Sequence, residues 1–254
     1  MKDKRILIVN DDGISSPGIK ILYRIALSIS RDVWIIAPET EQSASSHSLT
    51  LHRPLRIRKL SSRKYAIDGS PTDCVYLGFK KILKSKLPDL VLSGINYGGN
   101  LGEDLSYSGT VAAAMEASLS GVLGIALSQE YADGKEINWK TAEKWAPRII
   151  KKIVQDDWSS KVVFNVNFPD ITYAKVKGIQ VTCQGQHHAR DLYNERVDPR
   201  GRKYYWIGAS ERALKKGKLG TDVRAVYDNY ISITPIDMNL TNKNIINKMK
   251  KSFR

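Results

Sequence analysis

The opening residues constrain the fold of this chain more than any other stretch. Residues 5–9 (RILIV) form a short run that is apolar after its arginine and rich in β-branched side chains. A run of this kind is typical of a strand buried on both faces, as in a parallel sheet. An apolar-periodic stretch over residues 21–29 follows, and Pro17 stands where the first turn of a helix would begin. This order predicts an α/β fold.

Two adjacent carboxylates, Asp11 and Asp12, stand where the first strand gives way to the helix. In open parallel sheets the carboxyl ends of the strands form the edge at which ligands bind. Neighbouring carboxylates repel each other unless a cation or hydrogen-bond donors meet them. Two interpretations are therefore open. Asp12-Gly13 is common turn chemistry, which favours a surface turn, and the paired carboxylates favour half of a metal site.

Length and composition limit the class of protein. With 254 residues, 42% of them hydrophobic, the chain can bury one large core or two modest ones. No stretch approaches the roughly 20 apolar residues of a membrane span, and the early first strand leads us to expect no signal peptide. Cys74 and Cys183 lie far apart in the sequence, which favours reduced thiols in a cytoplasmic protein.

The net charge of +14 admits two classes of partner. A basic surface suits nucleic acid or an anionic small substrate. The basic residues fall in dispersed patches near residues 80–86, 212–218 and 248–254, and zinc-finger spacing and RNP-type aromatic motifs are absent from the sequence. A non-catalytic nucleic-acid-binding protein, which would gather basic residues beside aromatics in one groove, is therefore the less favoured alternative.

Two loops follow predicted strands and carry polar side chains. The apolar run 33–37 ends at Pro38 and is followed by the polar loop 39–48. The strand predicted at 89–93 runs into a Gly- and Asn-rich segment, residues 94–102. Glycine lets a backbone approach a ligand closely, but the segment matches neither GxxxxGK[ST] nor GxGxxG. An ordinary loop and a ligand-binding loop both remain open for it.

The helix start at residues 107–111 (YSGTV) suits an anion. Ser108, Gly109 and Thr110 would offer backbone N–H groups, two hydroxyls and the positive end of a helix dipole. N-capping by Ser or Thr is the commoner use of such residues. The nearby Asn100 and the two aspartates favour a phosphate site.

The remaining elements are predicted from periodicity. They are strands at 55–58, 65–67, 125–128 and 162–168, helices at 70–83 and 137–155, β-rich runs at 179–181, 204–207 and 230–233, and a last helix at 242–252. The pair His187-His188 is a poor metal motif, because neighbours on a strand point to opposite faces.

An ordered series of motifs resembles one known family. The motifs are Asn10-Asp11-Asp12-Gly13, Gly69-Ser70-Pro71-Thr72-Asp73, Ser93-Gly94-Ile95-Asn96, Tyr107-Ser108-Gly109-Thr110-Val111, Asn165-Val166-Asn167-Phe168-Pro169, Thr221-Asp222 and Ser232-Ile233-Thr234-Pro235. Over nearly its whole length the chain resembles the survival protein SurE family of metal-dependent nucleotidases. The resemblance implies a Rossmann-like, mostly parallel sheet with a β-rich C-terminal extension. Residues 1–172 would form the catalytic core and 173–254 the oligomerisation extension, or the two would be one continuous domain.

The resemblance also implies an activity, a metal and an assembly. The family hydrolyses nucleoside 5′- and 3′-monophosphates, sometimes with exopolyphosphatase activity, and the implied assembly is a homodimer or homotetramer. The implied metal ligands, which follow three strands and would converge at one sheet edge, are Asp11, Asp12, Ser43 and Asn96. Their oxygen atoms suit Mg²⁺, Mn²⁺ or Ca²⁺ better than zinc.

The resemblance further implies the residues that act on the phosphate. The phosphate-binding set is Asn100, Ser108, Gly109 and Thr110, and the catalytic set is Asp11, Asp12, Asn100 and Ser108. Two positions depart from the family pattern: Ala44 stands where Gly usually follows the metal-binding Ser, and Ser70 replaces the usual Thr. Ser70 keeps the hydroxyl, whereas the β-carbon of Ala44 changes the loop geometry.

Overall fold

The computed structural model describes residues 1–132, 136–158, 162–186, 193–207 and 216–253. The pair His187-His188 and the basic residues Arg212, Lys215 and Arg254, considered above, lie outside the described residues.

A nine-stranded sheet forms the centre of the molecule. Its strands are β1 (Arg5–Val9), β2 (Asp32–Pro38), β3 (Ile57–Ser61), β4 (Lys64–Ile67), β5 (Leu90–Tyr97), β6 (Leu123–Gln129), β7 (Val162–Phe168), β8 (Ile179–Val181) and β11 (Ile231–Asp237). The spatial order is β3-β4-β2-β1-β5-β6-β7-β11-β8. From β4 to β7 all neighbours are parallel, and β3 and β11 run antiparallel to β4 and β7. The α/β prediction is confirmed.

Helices cover both faces of this sheet. The helices packed on it are α1 (Pro17–Leu27), α2 (Pro71–Leu77), α3 (Gly109–Leu119), α4 (Trp139–Gln155) and α5 (Asp222–Tyr227), whereas the last helix, α6 (Lys243–Ser252), has no buried residue. A π-helical turn over Gly78–Ile82 extends α2, and 3₁₀ turns span Gly102–Ser106 and Tyr173–Lys175. Ser70 caps α2 through its hydroxyl, which accepts from the N–H of Asp73.

The first strand is buried on both faces, as its sequence predicts. Ile6 and Ile8 pack on one face in a core that includes side chains of α1 and α4. Leu7 and Val9 pack on the other face with side chains of α2 and α3. Alternate residues of a strand point to opposite faces, so an uninterrupted apolar run is what a sheet between two helix layers requires.

The direction of strand addition reverses beside β1. The chain first adds β2 and β4 on one side of β1, and β5 then pairs with the opposite edge of β1. At such a reversal the connections leave the sheet in opposite directions and open a crevice at the carboxyl ends of the strands. The ends of β1 and β5 therefore mark the expected ligand site.

The C-terminal part adds to the same sheet. Residues 231–237 (β11) pair with β7, and β8 pairs with β11. Two further strands, β9 (Tyr193–Val197) and β10 (Lys203–Ile207), form a separate antiparallel hairpin. Within the described part of the chain, no helix is long and apolar enough to span a membrane.

Four elements differ from those predicted. Strand β3 spans Ile57–Ser61 rather than 55–58, and its residues are all exposed, so burial does not fix its bounds. Strand β5 continues to Tyr97, beyond Gly94, because a register irregularity against β6 accommodates the segment between Gly94 and Asn96. Helix α5 is too short to produce a helical period in the sequence. Strand β9 is polar and fully exposed, so it carries no buried alternation.

Candidate active site

Asp11 is fixed at the end of β1 by the start of α3. The backbone N–H of Thr110 donates to Oδ2 of Asp11 at 3.1 Å, and the Thr110 hydroxyl donates to Oδ1 of Asp11. Burial has the largest effect on this carboxyl and raises its pKa above the ordinary value, although the hydrogen bonds from Thr110 act in the opposite direction. Asp11 is therefore well oriented, yet no lysine or arginine of the described cavity wall compensates the charge of its ionised form.

Asp12 faces the same cavity beside Asp11. Its Oδ2 accepts a hydrogen bond of 3.2 Å from the backbone N–H of Tyr97, the last residue of β5. Burial first, and then repulsion from Asp11 and Glu41, raise the pKa of Asp12 to about 7. A bound cation would reverse this effect, because an opposite charge nearby favours the ionised carboxylate.

The polar loop after β2 returns to these aspartates. The N–H of Gln42 donates to the carbonyl of Asp11 at 2.8 Å. The Ser43 hydroxyl donates to the Glu41 carboxylate at 2.5 Å. Ala44 follows with a φ of 55°, in the left-handed region that non-glycine residues seldom adopt. The loop thus carries Ser43 to the cavity wall by a turn that a glycine would make more easily.

Asn96 approaches the aspartates from the end of β5. Its side-chain N–H donates to the carbonyl of Gly98 at 2.8 Å. With the amide nitrogen engaged in this way, the side-chain oxygen is the atom that remains to serve as a ligand.

Asn100 is clamped by the end of β7. Its backbone N–H donates to Asn167 at 2.8 Å, and its carbonyl accepts from Asn165 at 2.8 Å and from Asn167 at 3.1 Å. Its side-chain nitrogen donates to the hydroxyl of Ser128 at 2.8 Å. These four hydrogen bonds fix both the backbone and the side chain of Asn100, so Asn100 is a rigid donor at the cavity.

The start of α3 divides into residues that face the cavity and residues that support it. Ser108 lines the cavity, and its hydroxyl accepts from the N–H of Val111 at 3.0 Å as the N-cap. A β-carbon on Gly109 would lie 2.9 Å from Cβ of Asp11, so glycine permits this close approach. Thr110 is fully buried, with its backbone N–H and hydroxyl both donating to Asp11.

A cavity of about 750 Å³ joins these residues. The predicted residues on its wall are Asp11, Asp12, Ser43, Asn96, Asn100 and Ser108. Of the predicted phosphate set, Gly109 and Thr110 are not on the wall. Glu41 and Asp104 add carboxylates to it, and within the described ranges no lysine or arginine lines this cavity.

The donor set fits a hard divalent cation. Two carboxylates, a hydroxyl and an amide oxygen offer only oxygen ligands, which Mg²⁺, Mn²⁺ and Ca²⁺ prefer. No three His, Cys, Asp or Glu side chains of the described residues are grouped to hold a metal. The neutral oxygens of Ser43 and Asn96 lie on the same wall as the two aspartates. The excess of carboxylate over basic groups supports a cation.

Sequence reasoning missed two supporting interactions. The bond from Thr110 to Asp11 joins residues that are 99 positions apart. The clamp by Asn165 and Asn167 was present in the sequence as an Asn-Val-Asn alternation, which places both amides on one face of β7. That alternation was the sequence signal from which the contacts of Asn165 and Asn167 with a neighbouring loop could have been predicted.

Comparison with known proteins agrees with the family resemblance of the sequence motifs and extends over nearly the whole chain. The family model described as survival protein SurE matches residues 6–191. The 5′-nucleotidase SurE of Paramagnetospirillum magneticum is 54% identical over 98% of this chain and 95% of its own length. That of Parvibaculum lavamentivorans is 50% identical over 95% of this chain and 88% of its own length. The solved SurE protein from Aquifex aeolicus is 40% identical, with a TM-score of 0.83, and the match covers 98% of this chain and 100% of that one.

Proposed function

The chain belongs to the survival protein SurE family, and from this membership we propose that it is a metal-dependent nucleotidase that hydrolyses nucleoside 5′- and 3′-monophosphates to nucleoside and phosphate. The observation that carries the proposal is one cavity at the reversal point of the sheet. It brings together the aspartates after β1, Ser43 after β2, Asn96 on β5, and the rigid donors Asn100 and Ser108.

Asp11, Asp12, Ser43 and Asn96 are the residues that would hold one divalent cation. When bound, it would polarise a phosphoryl oxygen and lower the pKa of a coordinated water. Mg²⁺ and Mn²⁺ are the proposed native metals, and Ca²⁺ can occupy an oxygen site of this kind.

The remaining groups act on the substrate. Asn100 and Ser108 donate to the non-bridging oxygens of the phosphoryl group, where negative charge is redistributed during transfer. Thr110 and Gly109 support Asp11 rather than contact the substrate. Thr110 donates to the Asp11 carboxylate, and Gly109 lets the start of α3 approach Asp11 closely. Asp12, whose pKa is raised first by burial and then by repulsion from Asp11 and Glu41, is the residue we propose to orient the attacking water.

A panel of phosphate-release assays tests this function. The substrates are nucleoside 5′-monophosphates, nucleoside 3′-monophosphates and polyphosphate, each assayed in EDTA and then with Mg²⁺, Mn²⁺ or Ca²⁺ restored. We expect hydrolysis of the monophosphates that EDTA abolishes and metal restores, and polyphosphate turnover in the same assay would extend the substrate range. Absence of phosphate release with every metal, together with tight RNA binding in EDTA, would favour the nucleic-acid-binding alternative.

The Asp11→Asn and Asp12→Asn variants connect the activity to the proposed ligands. Each substitution removes a carboxylate charge while it keeps the shape of the side chain. We expect each to weaken metal binding and to lower turnover, because hard cations depend on carboxylate charge. Unchanged metal affinity and turnover in both variants would contradict the ligand assignment.

We further propose that two parts of the chain have different roles. Residues 1–172 contain every residue of the proposed site, and the exposed hairpin of β9 and β10 mediates assembly into a homodimer or homotetramer. Cys74 and Cys183 are both free thiols, which supports a cytoplasmic location.

A further inference from the structure

Four aromatic residues line the cavity, Tyr97, Tyr107, Tyr131 and Trp139. The first, third and fourth form one cluster of rings, which hydrolysis of a phosphate ester does not itself require. Tyr97 ends β5, Tyr131 follows β6, and Trp139 begins α4. The ring centroid of Tyr97 lies 4.5 Å from that of Tyr131, with the planes tilted by 53°. It lies 6.2 Å from that of Trp139 in an edge-on arrangement. Three separate elements thus converge on one aromatic surface.

Tyr97 links this surface to the proposed metal site. Its backbone N–H donates to Asp12, and the preceding residue is the proposed ligand Asn96. The residue nevertheless remains 46% exposed. A tyrosine that served only to fill the core would have its ring buried, because burial of aromatic area is what stabilises a core. The ring is instead presented beside the place where the phosphoryl group would bind.

The size of the cavity indicates that more than phosphate binds there. Its volume of about 750 Å³ falls within the range of sites that hold a whole small-molecule ligand. The carboxylate, amide and hydroxyl groups account for the phosphate end. The aromatic surface, on the same wall, accounts for a flat and largely apolar group joined to that phosphate.

We propose that Tyr97, supported by Tyr131 and Trp139, is the platform on which the base of the nucleotide stacks. The inference rests on the proposed nucleotidase function and adds a specificity element to it. Aromatic stacking accepts every base, because each base has a π-face. The platform therefore selects nucleotides over other phosphate monoesters and discriminates little among bases, with larger purines held more tightly than pyrimidines.

Two substrates that differ only in the base separate this role from a structural one. AMP and ribose 5-phosphate carry the same phosphate ester, but ribose 5-phosphate has no base to stack. We expect Tyr97→Ala to raise KM for AMP roughly tenfold, as truncation of a stacking aromatic does, and to leave KM for ribose 5-phosphate unchanged. Tyr97→Phe keeps the ring and should keep the wild-type KM for AMP.

A binding measurement and a matched control complete the test. Product inhibition by adenosine should weaken in Tyr97→Ala by the same factor as KM for AMP, whereas inhibition by inorganic phosphate should not change. Tyr76→Ala removes an equally exposed tyrosine on α2, outside the cavity, and should alter none of these values.

The outcomes distinguish failure of the platform from failure of the function. If the wild type releases phosphate from neither substrate under any divalent metal, the nucleotidase proposal itself fails. If the wild type hydrolyses AMP but Tyr97→Ala shifts both KM values equally, or shifts neither, the base platform is wrong and the nucleotidase stands.

Discussion

Thr110, which the sequence places in the predicted phosphate-binding set, donates in the structure to Asp11, a proposed metal ligand. Its hydroxyl and backbone N–H both donate to Asp11, and the side chain is fully buried. The chemical reason is charge: a buried carboxylate needs donors, and the first turn of a helix offers N–H groups that have no partner within the helix. The anion that this helix start binds in the structure is the protein's own aspartate.

The Thr110→Val variant tests this support. The substitution preserves the side-chain shape and the backbone N–H but removes the hydroxyl donor to Asp11. We expect a loss of about 1–3 kcal/mol in the free energy of unfolding, because a buried acceptor loses its partner, together with a lower kcat. Thr110→Ser keeps the hydroxyl and serves as the control. Wild-type kcat and stability in the valine variant would show that Asp11 does not depend on this bond.

Ala44 imposes a local conformational cost beside the proposed ligand Ser43. Its φ of 55° is unfavourable for a residue with a β-carbon. We expect Ala44→Gly to raise the free energy of unfolding by about 0.5–1 kcal/mol, since the relief of strain exceeds the extra entropy of glycine in the unfolded chain. Denaturant unfolding measures this difference.

An alanine in another turn provides the control for Ala44. Ala174 is exposed and lies in the 3₁₀ turn Tyr173–Lys175, where its φ is not positive. Ala174→Gly should therefore lower stability slightly. The two substitutions are chemically identical, so an equal loss of stability in both would argue against strain at Ala44.

At the scale of elements, the amino ends of the strands at the sheet centre carry a charge cluster far from the site. Asp32, at the start of β2, accepts from Arg5 at 2.8 Å and from the Trp34 indole at 2.8 Å, and Arg63 lies 3.4 Å away. Burial acts to raise the pKa of Asp32, but the hydrogen bonds and the charges of Arg5 and Arg63 outweigh it, so the pKa is lowered. This cluster joins β1 to β2.

The lowered pKa of Asp32 predicts the direction in which stability changes with pH. A carboxyl with a depressed folded-state pKa contributes stability above its unfolded pKa of about 3.9, and that contribution is lost as the pH falls through the folded value. Asp32→Asn should therefore cost about 1 kcal/mol at neutral pH, and the difference from wild type should shrink below pH of about 3.9. Denaturant unfolding at both pH values measures it. Asp3→Asn, an exposed change of the same charge, is the control, and a pH-independent difference for Asp32→Asn would contradict the prediction.

The elements that were predictable from the sequence are those with local causes. The buried run of β1, the proline at the start of α1 and the period of α4 each act within a few residues, and each was predicted close to its observed bounds. The carboxylates at the end of β1 were predictable for the same reason. Helix α5 was not, because one and a half turns of helix leave no measurable period.

Interactions between distant elements were not predictable from local pattern. Asp222, at the start of α5, is fully buried and accepts from the N–H groups of Gly102 and Gly185. This carboxylate joins the C-terminal segment to the loop that follows Asn100. The sequence contains Thr221-Asp222 as a motif, but only the fold supplies its partners, since Gly102 is 120 positions and Gly185 is 37 positions away.

At the scale of the whole molecule, the net charge of the chain is opposite in sign to the charge of the residues that line the cavity. The chain carries +14, yet the charged side chains that line the cavity among the described residues are all carboxylates. A phosphate monoester carries about two negative charges near neutral pH, so a positive surface helps to bring it to the protein. Recognition at the cavity then requires the cation that the carboxylates would hold. The dispersed basic surface and the acidic cavity thus suit a small anionic substrate better than a long nucleic acid.

A single chain leaves the hairpin of β9 and β10 uncovered. Every residue of both strands is exposed, including Trp206 at 66% and Ile207 at 92%. A two-stranded hairpin alone is marginally stable in water. Within the described residues its strands pair only with each other, so its aromatic surface needs a partner, and a second copy of the chain is the one we propose.

Light scattering of the purified protein tests this assembly. We expect a mass of two or four times 28.5 kDa at micromolar concentration. Trp206→Glu places a charge in the proposed interface and should shift the mass toward the monomer, while the main sheet, which the hairpin does not join, stays folded by circular dichroism. Leu119→Glu, at an exposed leucine at the end of α3, should leave the mass unchanged. A wild-type protein that scatters as a clean monomer would rule the assembly out, because the hairpin would then be stable without a partner.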